Sequence, residues 1–97
     1  MEKEKITQIV IFSVKTLVNT LPEDQKFTVD IKTVLFGKNA NIDSLSLVSI
    51  IVDIETTFSS DYGYDISLSD DRAMMSKVSP FESVSTLVDY IDGLINQ

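Results

Sequence analysis

The chain has 97 residues, 43% of them hydrophobic, and a formal net charge of −7. This length and composition indicate one packed domain over residues 1–97 and argue against a disordered chain. Cysteine and histidine are both absent, which excludes disulfides, thiolate metal sites and a Ser-His-Asp catalytic mechanism.

Negative charge is concentrated in the second half of the sequence. From residue 43 onward only Arg72 and Lys77 oppose the acidic residues, which are Asp43, Asp53, Glu55, Asp61, Asp65, Asp70, Asp71, Glu82, Asp89 and Asp92. Such a field disfavours nucleic acid and anionic membranes as partners and attracts basic ones, although an acidic surface also simply aids solubility. With no signal-peptide apolar region and no bilayer-length apolar run, we expect a cytoplasmic protein.

The first predicted helix runs from Lys3 to about Asn19. Apolar residues recur at spacings of three and four and fall on one face. They are Ile6, Ile9, Val10, Val14, Leu17, Val18 and Leu21. Because Pro22 disfavours a helical conformation before it, the helix should stop by about residue 20 or 21.

A long loop is predicted next, over residues 21–42. Phe27 to Ile31 alternates apolar and polar residues as a strand does, but no second strand is available to pair with it. We therefore expect an extended segment that pins Phe27, Val29 and Ile31 onto the core. A short helical turn near residues 33–36 is compatible with the sequence. A loop of this length in a small domain is either functional or a misassignment.

The second predicted helix runs from Ser44 to about Phe58. Its apolar residues cover well over half of the circumference. They are Leu45, Leu47, Val48, Ile50, Ile51, Val52, Ile54 and Phe58. A helix of this kind is either largely buried or offers apolar surface to a partner, and we expect any exposure near Leu47 and Val48.

The start of this helix is the candidate functional site. Asp43 is suited to cap the helix by accepting a hydrogen bond from a free backbone N–H. A phosphate on the Ser44 hydroxyl would lie at the helix N-terminus, where anions are favoured. Taken alone, Asp43-Ser44-Leu45 is also an ordinary way to begin a helix.

After the second helix, residues 59–69 are predicted to form a loop in which Ile66 and Leu68 reach the core. The segment from Asp61 resembles the start of a calcium loop, but the required glycine at position six and acid at position twelve are missing. No metal site is therefore expected. A short third helix is predicted over residues 72–75.

The last predicted helix runs from Ser83 to about Ile95. Its apolar face comprises Val84, Leu87, Val88, Ile91, Leu94 and Ile95. A capping box over residues 79–82 competes with Ser83 as its start, and we favour Ser83. The sequence thus predicts an all-α fold: a small four-helix bundle of three main helices and a short third helix, with a long loop between helices 1 and 2.

These motifs, in this order, resemble the acyl carrier protein family over nearly the whole chain. Asp43-Ser44-Leu45 opening an apolar helix carries the resemblance, within an acidic second half. The other matching segments are Thr28-Val29-Asp30, Leu35-Phe36-Gly37, Ile54-Glu55, Tyr64-Asp65-Ile66-Ser67-Leu68, Arg72-Ala73-Met74 and Leu87-Val88-Asp89-Tyr90-Ile91.

The resemblance implies that a phosphopantetheinyl transferase, using magnesium and coenzyme A, esterifies Ser44 with 4′-phosphopantetheine. The arm would supply the thiol that the chain lacks and carry acyl, aminoacyl or polyketide groups as thioesters. Asp43 would help to place the transferase's magnesium and coenzyme A. The protein would be a monomer and not an enzyme, and it would present its cargo to activating ligases, acyltransferases or synthases.

The resemblance also implies a partner face and a cargo cleft. The partner-binding residues would be Leu45, Val48, Asp53 and Glu55. The cleft would be lined by Leu45, Val48, Val52, Ile54 and facing residues of helices three and four.

This sequence departs from the best-known carriers beside the serine. Ser46 and Ser49 stand where those proteins have acidic residues, and the stretch from Gly37 to Asp43 is longer than usual. The departures suggest a specialised carrier rather than one that serves housekeeping fatty acid synthesis. The alternative is a non-covalent helical interaction module without a prosthetic group, which would bind a partner helix with the apolar flank of the second helix.

Overall fold

In the computed structural model, the described residues are 1–35, 42–68 and 81–96. They form three α-helices, which are α1 (Lys3–Val18), α2 (Ser44–Tyr62) and α3 (Val84–Ile95), and a single 3₁₀ turn at Glu23–Gln25. No β-strand occurs among the described residues, so the expectation of a mostly helical fold is confirmed. The predicted short helix over 72–75 lies outside them, and a four-helix bundle is therefore not confirmed.

Helix α1 is the element that packs against both of the others. Its apolar face is buried against α2 on one side and α3 on the other. The buried residues of this face are Ile6, Ile9, Val10, Ser13, Val14 and Val18. The prediction for this helix is confirmed within one residue at its C-terminus.

Helix α2 ends at Tyr62, one turn later than predicted. Gly63 ends it with a left-handed conformation (φ 73°), and the N–H groups of Gly63 and Tyr64 both donate to the Phe58 carbonyl, the latter at 2.9 Å. Glycine adopts this positive φ without a steric penalty, and a left-handed glycine is a common way to end a helix. The predicted loop at residues 59–62 was therefore wrong, because glycine rather than the last apolar residue sets the helix end.

Helix α3 begins where the sequence predicted. The Ser83 side chain accepts from the Thr86 N–H at 3.2 Å, and the Thr86 hydroxyl oxygen accepts from the Ser83 N–H at 3.0 Å, which completes a capping box. The next two N–H groups are also used: Val84 donates to the Thr33 carbonyl at 3.0 Å and Ser85 to the Ile31 carbonyl at 2.9 Å. The loop after α1 is thereby fastened to the start of α3.

This loop is extended, as expected, with one correction. Val29 is buried and Phe27 half-buried, but Ile31 is 43% exposed and does not pin the loop. A turn interrupts the alternation there, because Asp30 Oδ1 accepts from the Lys32 N–H at 2.8 Å and the Asp30 carbonyl accepts from the Thr33 N–H. Residues 33–35 are not helical and form an isolated bridge to α3's N-cap instead.

The core lies between the three helices and is closed by the loops. Phe58 is its largest fully buried side chain, and Leu35 and Leu68 enter it from loops. Leu68 confirms the prediction that the segment after α2 reaches the core, with Ile66 half-buried beside it. Of the helices in the described ranges, none combines the length and the apolar character needed to cross a bilayer.

Candidate functional site

The start of α2 is capped by Asp43, as the sequence predicted. Asp43 has extended backbone angles, and its Oδ1 accepts from the Ser46 N–H at 2.7 Å. This hydrogen bond to the Ser46 backbone, with a smaller contribution from the Ser46 side chain, lowers the pKa of the Asp43 carboxyl below its ordinary value. Asp43 is therefore ionised at neutral pH and fixes the position at which Ser44 enters the helix.

The N-terminus of α2 is more open than that of α3. At α3 the first N–H groups donate to loop carbonyls and to Ser83. At α2 the Asp43 carbonyl accepts from Leu47 and its carboxylate from Ser46, while no described residue accepts from the Leu45 N–H. The positive end of the helix dipole at Ser44 is thus compatible with an added phosphate group.

An exposed apolar stripe continues from this helix start. It consists of Leu45, Val48 and Val52, whose side chains are 81%, 56% and 55% exposed. Their spacing of three and four residues places them on one side of α2. The predicted partner residues Leu45 and Val48 are therefore accessible, in the part of the helix adjacent to Ser44.

Two expectations for this face need correction. Leu47 is buried, not exposed, because its spacing to Ile51, Ile54 and Phe58 puts it on the core side of α2. Ile54 is also fully buried, so it does not share a surface cleft with the apolar stripe.

Glu55 and Asp53, the two acidic residues predicted to bind partners, have different environments. Glu55 is half-buried, and its Oε1 accepts from the Leu68 N–H at 2.9 Å, which fastens the loop after α2 to the helix. Asp53 is exposed, and among the described residues nothing pairs with its carboxylate. Sequence reasoning missed the structural bond of Glu55, because its partner is a backbone group thirteen residues away.

No group of three or more metal-ligating side chains occurs among residues 1–35, 42–68 and 81–96. Comparison of the chain with family models, with curated proteins and with solved structures finds no significant match.

Proposed function

We propose that this protein is a carrier whose Ser44 receives 4′-phosphopantetheine. The observation that carries the proposal is the placement of Asp43-Ser44-Leu45 at the open start of α2, directly before the exposed apolar stripe. A covalently held substrate needs an accessible attachment residue with a recognition surface beside it. Support for the proposal comes from the position of Ser44 at a helix N-terminus, followed by the exposed side chains of Leu45 and Val48.

Attachment joins the Ser44 oxygen to the phosphorus next to the pantetheine group of coenzyme A. The pyrophosphate bond breaks, adenosine 3′,5′-bisphosphate leaves, and a base of the transferase takes the serine proton. When bound, the group supplies a thiol that holds an acyl substrate as a thioester. The protein's own contribution is to fix the attachment residue through the Asp43 cap and to favour the phosphate with the helix dipole.

The partners fit a specialised pathway better than a housekeeping one. Beside Ser44, the exposed surface of α2 carries the apolar stripe and Ser49, and after the capping Asp43 the next acidic residue is Asp53. A dedicated activating ligase or acyltransferase with an apolar patch would complement this surface. Electrostatic steering would then set the encounter rate more than the affinity.

The direct test is intact mass after incubation with coenzyme A, magnesium and a broad-specificity phosphopantetheinyl transferase. We expect the mass to rise by one phosphopantetheine group, and the gain to be lost in Ser44→Ala. Ser46→Ala and Ser49→Ala are matched controls on the same helix, and both should still be modified. No gain with a transferase that modifies a known carrier in the same tube would refute the proposal.

A second candidate is a non-covalent interaction module, which the 81% exposure of Leu45 favours. In that case a partner's helix would pack on the apolar stripe with no arm. The two candidates differ in one measurable respect. Ser44→Ala would leave partner binding intact for the module and would abolish substrate loading for the carrier.

A further inference from the structure

A second surface feature of α2 lies away from the apolar stripe. It is a hollow of about 190 Å³ between α1 and α2, hereafter the α1–α2 hollow. Its lining residues are Ser13, Thr16, Leu17, Thr20, Ser49, Ile50 and Asp53. Ser13 and Ile50 are buried and form the floor, while the exposed residues form the mouth.

The walls of the hollow are almost entirely apolar although several lining residues carry hydroxyls. Two of these hydroxyls are turned back onto α1: Thr16 Oγ1 donates to the Phe12 carbonyl at 2.9 Å, and Thr20 Oγ1 donates to the Leu17 carbonyl at 2.6 Å. With the hydroxyls used in this way, each threonine has its methyl group free to contact an occupant. Enclosed apolar cavities of about 150 Å³ hold a benzene ring, so this hollow has room for a short alkyl chain.

Asp53 provides the one charged group of the lining. It is exposed, and no described residue forms an ion pair or hydrogen bond with its carboxylate. An apolar hollow with a carboxylate at its mouth is complementary to a group that has an alkyl stem and a cationic head. Arginine has this form, since its stem packs on apolar surface while its guanidinium pairs with a carboxylate through parallel hydrogen bonds.

The register of α2 argues against the arm as the occupant. Asp53 follows Ser44 by nine residues, and at 3.6 residues per turn this places the two on opposite sides of the helix axis. The apolar stripe lies between them around the helix. A group attached at Ser44 thus starts on the far side of α2 from the hollow.

We propose that the α1–α2 hollow receives an arginine side chain of the enzyme that docks on this protein. The alkyl stem enters between α1 and α2, and the guanidinium pairs with Asp53. That the partner is an enzyme acting on a carried substrate rests on the proposed function, whereas the hollow's preference for this side chain does not. The site gives the partner a second anchor, on the side of α2 opposite to position 44 in the helical register.

The test uses n-butylguanidinium chloride as the probe and ¹H–¹⁵N NMR of the full chain carrying Ser44→Ala, so that no arm is involved. We expect saturable shifts of the Thr16, Ser49 and Asp53 amides. Guanidinium chloride and 1-pentanol, at matched ionic strength, should each bind more weakly, because each supplies only half of the interaction. Asp53→Asn should weaken probe binding by about three- to fivefold, the scale of an exposed ion pair.

Matched variants separate this site from general charge effects. Asp61→Asn removes an equal charge from α2 without touching the hollow, and it should leave the affinity unchanged. Ser49→Leu should fill the hollow and abolish saturation, whereas Ser60→Leu on the exposed side should not. Three results would each overturn the proposal. They are equal probe affinity for the Asp53→Asn variant, equal affinity for 1-pentanol and for the probe, and the absence of amide shifts at the hollow. The Ser44→Ala chain carries no arm, so none of these results decides whether Ser44 is modified in the mass test.

Discussion

Two carboxylates of α2 show how side chains of one chemical type serve different purposes. Asp43 accepts from an N–H in the first turn of its own helix, and Glu55 accepts from a backbone N–H of a separate segment. Both bonds satisfy a backbone donor that would otherwise lack a partner within the fold. Their loss should therefore be measurable in stability, apart from any role in binding.

The Asp43 cap should make stability depend on pH in a defined direction. Its pKa is lowered in the folded state, so its contribution is present above the unfolded value of about 3.9 and is lost as pH falls through the folded value. Asp43→Ala should lower the urea midpoint at pH 7, and the difference from the parent protein should shrink at acidic pH. The measurement is urea unfolding, followed by circular dichroism, from pH 7 down to about 2.5.

Asp61→Ala is the control for this experiment, because Asp61 lies in the last turn of α2, where a negative charge faces the negative end of the helix dipole. Its removal should not lower the midpoint at pH 7. An Asp43→Ala difference that stays constant down to the lowest pH would contradict a role for the ionised carboxylate.

At Glu55 we expect the acceptor atom to matter more than the charge. Glu55→Gln keeps a carbonyl oxygen for the Leu68 N–H and should unfold near the parent midpoint. Glu55→Ala leaves this partly buried donor without its partner and should cost about 1–3 kcal/mol in unfolding free energy. Thr56→Ala, at the exposed neighbouring position, measures the background effect; equal losses in the Gln and Ala variants would rule out the hydrogen bond as the cause.

At the scale of elements, the end of α2 and the start of α3 are each determined by one short-range device. Helix α2 ends with Gly63 in a left-handed conformation, and α3 starts at Ser83 with a reciprocal capping box. Both devices act through local backbone conformation and hydrogen bonds rather than through core packing alone. Substitutions at such positions therefore report on backbone conformation rather than on packing.

Alanine substitution at two glycines, Gly63 and Gly93, should change the unfolding free energy in opposite directions. Gly63→Ala has open space for a methyl group but must adopt a positive φ, so we expect a loss of about 1 kcal/mol. Gly93 lies inside α3, also with open space around its Cβ position, and Gly93→Ala should add about 0.5–1 kcal/mol. Thermal and urea unfolding measure the stability of both variants. A Gly63→Ala variant that is more stable than the parent protein would contradict the left-handed conformation at the end of α2.

Periodicity and capping patterns predicted α1, the start of α2 and all of α3, because these signals are local in the sequence. Ser83, for example, was predicted as an N-cap because it directly precedes the apolar face of α3. The Leu68–Glu55 hydrogen bond and the α1–α2 hollow were not predictable, since each joins residues that only the packed helices bring together. Leu47 was misplaced for a related reason: in a helix that is apolar around most of its circumference, the pattern does not identify which side faces the core.

At the scale of the whole molecule, charge is the dominant surface property. The net charge is −7, and the described part of the chain has only two ion pairs, Lys3–Asp89 and Lys26–Glu23. Self-repulsion of this kind opposes the compact state and is screened within about 10 Å at 0.1 M salt. The same field attracts basic partners from a distance.

Added sodium chloride should therefore raise the melting temperature of this protein, because screening weakens repulsion between its carboxylates. Scanning calorimetry from about 0.01 to 0.5 M salt measures the effect. The double variant Asp61→Asn/Asp65→Asn reduces the negative charge at exposed sites and should show a higher melting temperature at low salt with a smaller salt response. A melting temperature independent of salt in the parent protein would show that repulsion is negligible.

The bonds between the loop after α1 and the first turn of α3 have a consequence for fluctuations. The amide protons of Val84 and Ser85 are held by carbonyls of Thr33 and Ile31, and that of Leu35 by the Glu82 carbonyl. These amides can exchange with solvent deuterium only when the two segments separate, although about fifty residues of chain lie between them. Their protection factors should therefore be equal and should change together, and they would report directly on the detachment of this loop when a partner or a substrate is bound.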